Sequence, residues 1–232
     1  MEESAKQEIK ELIKKEDLNC SINEFKDKVD WKWISWYQKL SENFIREFKD
    51  LVDWIGISIN QKLSESFIRE FKDKVNWKWI SYKQELSEKF IREFKDLVNW
   101  INISIKQKLS EPFIHEFKDK VNWCYISYYQ ELSEKFIREF KDLINWINIS
   151  YSQELSEKFI REFQDKVHWR SISLHQKLSE YFIYEFKDEL NIEKLIERKL
   201  ITQERLDFLE FKEKEKEFNS RTKVSRFQIM DI

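Results

Sequence analysis

Few residues in this chain could do chemistry, and they are scattered. His115, His168 and His175 are the only histidines, and Cys20 and Cys124 the only cysteines. Zinc is held by three or four such ligands at short, characteristic spacings. His168 and His175 lack a third partner of that kind, and the two cysteines are too distant in sequence to frame a metal site or a disulfide scaffold. They read as free thiols. Ser41 and its equivalents precede a glutamate in every copy of a repeat, which suits helix caps rather than nucleophiles. The carboxylates also recur copy by copy, as solvated faces do. A single glycine in the whole chain removes any glycine-rich phosphate loop. The expectation is a protein that is not an enzyme, with no cofactor and no metal.

The aromatic side chains offer binding chemistry instead. They make up 16% of the chain, enough to supply both a core and contact residues. Trp33, Tyr37, Trp79, Tyr125 and Tyr129 stand at positions that vary between copies, and are the candidate protein-binding residues. Tryptophan and tyrosine are enriched among the residues that carry binding energy. The position occupied by Trp36, Ile59, Tyr82, Ile105, Tyr128, Tyr151 and Leu174 is always apolar, and is expected to be core. Lys32, Lys78, Lys83, Lys106 and Arg170 lie among these aromatics, so single-stranded nucleic acid is an alternative partner. A net charge of −2, from 42 basic and 44 acidic residues, argues against it.

These residues sit on a repeat of 23 residues. Phe25, Phe48, Phe71, Phe94, Phe117, Phe140, Phe163 and Phe186 mark its starts. Trp31, Trp54, Trp77, Trp100, Trp123, Trp146 and Trp169 keep the same step. Such a period is the signature of a solenoid. One unbroken helix is excluded, because 23 residues at ~100° each would rotate the apolar stripe by ~140° per copy. Two helix starts are legible in each repeat. Ser41 is the first N-cap, with Leu40 and Ile45 spaced as a hydrophobic staple. Asp53, replaced by Asn76, Asn99, Asn122 and Asn145 in later copies, is the second, flanked by Val52 and Ile57. Pro112 falls in a first turn, where its missing N–H is tolerated. Asp and Asn can also adopt a left-handed conformation, so the same residue is expected to close the preceding helix. Glu42, Arg46 and Asp50 have the spacing of an i, i+4, i+8 charge ladder.

The segment after each tryptophan is rich in β-branched and aromatic residues, so a helix-plus-strand solenoid is the alternative. Trp54, Ile57, Ser58 and Gln61 stay constant at i, i+3, i+4 and i+7, which selects a helical face. The fold expected is therefore all-α, a solenoid of short two-helix repeats with a helical cap at each end. Residues 1–24 form the N-terminal cap and 25–189 the seven repeats with the start of an eighth. Residues 190–218 form a divergent C-terminal cap, and 219–232 a tail expected to fray. A second period of 46 residues is visible, with Lys28, Lys74 and Lys120 alternating with Leu51, Leu97 and Leu143. Interlocking neighbours and recent duplication both account for it. The sequence contains neither a long apolar run nor a signal-peptide core, so an intracellular protein without a membrane partner is expected.

The consensus QKLSExFIREFKDKVDW-x-x-IS resembles the short tandem repeats found in many proteins of amoeba-infecting giant DNA viruses. The resemblance covers about residues 25–189. It implies a viral repeat protein of the host cytoplasm or the virus particle, and carries no catalytic residue with it. The functions expected are a protein–protein interaction scaffold or a self-associating structural component.

Overall fold

The computed structural model describes residues 3–228, with side chains described as far as residue 216. Among the described residues there are 18 helices and no strand. The segment after each tryptophan is helical, so the helix-plus-strand alternative does not hold. Each of the seven copies contributes a seven-residue tryptophan helix, from Trp31–Tyr37 to Trp169–His175, and a six-residue glutamate helix, from Glu42–Glu47 to Glu180–Glu185. Isolated helices this short are unstable in water, so caps and packing must hold them. The Asp30 carboxylate accepts from the Trp33 N–H, and Ser41 Oγ accepts from the Phe44 N–H. Leu40, Ile45, Val52 and Ile57 are buried, as the two staples require.

The chain turns without left-handed residues inside the repeats. Asp53 is extended at φ −81°, ψ 105°, so it caps the helix that follows and does not close the one before. The turn after each glutamate helix is closed instead on a phenylalanine carbonyl, where Phe48 O accepts from Leu51 N–H and Val52 N–H. Extended Gln61 ends the tryptophan helix. Positive φ among the described non-glycine residues occurs only at Asp17 and Lys199. Both lie in the caps, where Leu18 N–H reaches Ile13 O and Leu200 N–H reaches Leu195 O in the Schellman pattern.

The core of each repeat is an aromatic block. Trp54 lies 5.0 Å from Phe71 and 6.2 Å from Phe67, ring centre to ring centre. Its indole N–H is satisfied by Lys49 O at 2.9 Å. Phe44, Phe67, Phe90 and Phe113 are fully buried, as are Phe159 and Phe182.

The chain divides into two compact units, Met1–Ile126 and Ser127–Ile232. In each, successive tryptophan helices pack side by side, and the bonds between repeats recur. In the first unit, Gln61 Oε1 accepts from Leu40 N–H while its Nε2 donates to Gln38 O and Ser35 O. Gln84 and Gln107 donate to the preceding repeat in the same way. Ser35 Oγ accepts from Asp53 N–H and donates to Trp31 O. In the second unit Gln153 and Gln176 repeat the first pattern. The charge ladder keeps its first step along the helix, from Glu42 to Arg46, but continues to the next repeat rather than to Asp50. Arg46 bonds Glu70 of the next copy at 2.7 Å and Glu42 of its own helix at 3.6 Å, whereas Asp50 pairs with Lys74.

The N-terminal helix Glu3–Lys15 packs on Glu42–Glu47 through Ala5, Ile9 and Leu12. Its Glu8 accepts from Ser41 N–H, the role that Glu42 plays toward Ser64. At the other end Asn191 caps Ile192–Glu197 and Thr202 Oγ1 accepts from Arg205 N–H. The last helix runs Gln203–Gln228, beyond residue 218 and into the stretch expected to fray. Residues 229–232 lie outside the described residues.

Candidate functional site

The outer face of the tryptophan helices carries the candidate residues. In Trp31–Tyr37 the core side is taken by Ile34 and Ser35, which leaves Trp33, Trp36 and Tyr37 outward or half outward. Trp33 is 46% exposed and Tyr37 65% exposed, with their rings 4.3 Å apart. The Trp33 indole N–H donates to Glu16 Oε2 at 2.9 Å, and the Trp36 indole N–H to Asp53 Oδ2 at 2.6 Å. These three rings, with Asp30 and Lys32, line a recess of about 440 Å³. Further along the first unit Trp79 and Tyr125 are half-buried rather than exposed. Trp79 stands edge-on to Tyr82 at 6.2 Å.

In the second unit Tyr129 is exposed beside Tyr128, their rings 4.7 Å apart. Tyr128 stacks on Tyr151 at 5.6 Å, and Tyr151 lies 4.0 Å from His175. Tyr151 crowds the Tyr128 hydroxyl and, with partial desolvation, pushes its pKa above the usual tyrosine value.

The position assigned to the core is not core. Trp36, Ile59, Tyr82, Ile105 and Leu174 are half-buried, and Tyr128 and Tyr151 are exposed. The signal for this lay in the residue types. The buried apolar positions of the repeats hold one or two aliphatic or phenylalanine types, whereas this one admits three tyrosines and a tryptophan, whose polar tips suit a half-wet surface. Leu51, Leu97, Leu143, Ile55, Ile101 and Ile147 are also about half exposed and were not singled out.

Two of the histidines have structural contacts. His168 is an N-cap, its Nδ1 accepting from Ser171 N–H, and His175 rests against Tyr151. Among the described residues no three His, Cys, Asp or Glu side chains converge as a metal site would require. Both cysteines are reduced thiols, Cys124 exposed and Cys20 partly so. No described helix is long and apolar enough to cross a membrane.

Comparison with known proteins gives no match to any family model, curated protein or solved structure.

Proposed function

We propose that this chain is a non-enzymatic interaction scaffold that presents the outer face of its tryptophan helices to a protein partner. One observation carries the reading. The residues constant between copies are consumed by capping and by repeat-to-repeat bonds, whereas the variable aromatics Trp33, Tyr37 and Tyr129 remain about half exposed or more. Exposed tryptophan and tyrosine are the residue types that most often carry binding energy at interfaces. The wording of the repeat supports a viral setting for the scaffold. Photo-crosslinking side chains placed at Tyr37 or Tyr129, and at Lys89 on the glutamate-helix side, test it in infected cells. A discrete partner should be trapped from the aromatic positions and not from Lys89. Equal trapping from all three, or none, counts against it.

Self-assembly is the second reading, and side-by-side association is its open route. End-to-end joining meets cap-specific bonds. Lys15 and Glu16 both bond the Gln38 amide at the start of the repeats. Arg198 donates to Ser173 O and Gln176 O at their close.

A further inference from the structure

The aromatic face of the first unit is sorted by charge. Its carboxylates are committed inward. Asp30 caps Trp33, Asp53 holds Ile55 N–H and the Trp36 indole, and Glu16 holds the Trp33 indole and the Gln38 amide. Its lysines are not ion-paired. Among the described residues Lys32, Lys78, Lys83 and Lys106 make no salt bridge. Three of them rest over rings instead, Lys78 above Trp79 at 5.9 Å, Lys83 above Tyr82 at 5.6 Å and Lys106 above Tyr82 at 4.7 Å. The fourth, Lys32, edges the recess of Trp33, Trp36 and Tyr37. Elsewhere in this unit lysines such as Lys49, Lys72 and Lys95 also make no salt bridge among the described residues, but they do not rest over rings, and other cations are paired. Arg46, Arg69 and Arg92 each bond a glutamate of the next copy, and Lys74 and Lys120 each bond an aspartate. Glu85, in the loop after Trp77–Lys83, lines a recess together with Glu65, Lys62 and Lys83, two carboxylates against two ammonium groups.

We infer that this face docks an acidic peptide segment whose carboxylates alternate with aromatic or large apolar side chains. The inference rests on the scaffold reading and specifies its partner. Ammonium groups held over rings donate to an incoming carboxylate while its apolar neighbours cover the same rings. A basic segment would meet four lysines that make no salt bridge among the described residues and be disfavoured. Nucleic acid fits less well. Trp33 and Tyr37 already lie 4.3 Å apart, which leaves no slot for a base between them. Four lysines spread over several repeats also fall short of the continuous basic track that a strand backbone needs.

The test uses the full chain and calorimetric titration with four probes. These are a short peptide alternating Glu and Phe, its Lys–Phe counterpart, polyglutamate, and oligo(dT). The Glu–Phe peptide should bind, more weakly as salt rises, and tighter than the other three. K78E/K83E/K106E and, separately, W33A/Y37A should each weaken it at least ~10-fold, with circular dichroism unchanged because the residues replaced lie at the surface. No binding of the Glu–Phe peptide overturns the inference. So does equal binding of polyglutamate or Lys–Phe, or tighter binding of oligo(dT). Crosslinking from Tyr37 and Tyr129 is blind to partner charge, so it separates failure of this inference from failure of the scaffold reading.

Discussion

Gly56 sits within a helix, where alanine is normally favoured by about 1 kcal/mol. A Cβ there would stand 2.7 Å from Trp36 Cδ1 and 2.9 Å from its Nε1. The indole cannot swing aside cheaply, because Asp53 holds its N–H at 2.6 Å. Gly56→Ala should therefore destabilise by ~1–3 kcal/mol as an overpacked contact. In a Trp36→Ala background the same change should stabilise by up to ~1 kcal/mol. Urea denaturation of the four proteins decides, and the same sign in both backgrounds would refute the contact. Acid sensitivity follows from another residue pair. Hydrogen bonds from Lys74 and Lys120 hold Asp50 and Asp96 below the usual aspartate range. A carboxylate depressed in this way adds stability above its unfolded value near ~3.9. That stability is lost as pH falls through the lower folded value. Asp50→Asn/Asp96→Asn should therefore be slightly less stable than the parent at neutral pH. The two urea midpoints should converge as pH falls through the depressed folded values of the two carboxylates. A gap that persists in acid would mean the bonds do not depend on charge.

At the scale of elements, the glutamines are the strongest link between repeats. Gln84 takes Leu63 N–H at 3.0 Å and gives to Gln61 O at 2.8 Å, all buried. Gln84→Leu would strand both backbone groups, at a cost of ~2–4 kcal/mol. Ser87→Ala, which removes only an N-cap, should cost ~1 kcal/mol. Reversal of that order in urea melts would place the stitching elsewhere. Ser87 and Asn76 were legible as caps because a cap is local, acting within three residues of itself. Gln84 was legible only as a constant position, since its partners lie 21 and 23 residues away. The second step of the charge ladder was misassigned for the same reason, whereas the first, Glu42 to Arg46, is present. Arg46 and Glu70 are distant in sequence, so i, i+4 spacing alone pointed to Asp50. The exposure of Tyr128 and Tyr151 was hidden by a binary reading of apolar as buried. The 46-residue period has a structural consequence as well. Lys74 and Lys120 reach back to Asp50 and Asp96, whereas Leu51 and Leu97 at the equivalent position are half exposed and cannot. Alternate junctions are thus bridged.

At the scale of the molecule, the caps decide whether repeats stop or continue. Within each unit, an internal copy offers the next one two carbonyls and receives a glutamine amide. At the N-terminal end Gln38 has no earlier copy to bond, and Lys15 and Glu16 occupy its amide. At the C-terminal end Ser173 O and Gln176 O have no later glutamine, and Arg198 takes both, at 2.6 and 2.9 Å. Arg205 likewise occupies Glu180, whose equivalents such as Glu157 pair with an arginine four residues on in their own helix, a place that Tyr184 takes here. Stripped of both caps, one end would present a glutamine amide with its apolar flank and the other the carbonyls made to receive it. Such a heterologous contact does not close on itself and generates open polymers. A chain limited to residues 25–189 should therefore form a concentration-dependent ladder of multimers in sedimentation velocity. Removal of residues 1–24 alone should not, because Arg198 still blocks the receiving end. Polymerisation of the singly truncated chain would show that the caps do not act as plugs. A doubly truncated chain that stays monomeric and folded would show that the repeat interface is too weak to propagate without a covalent link.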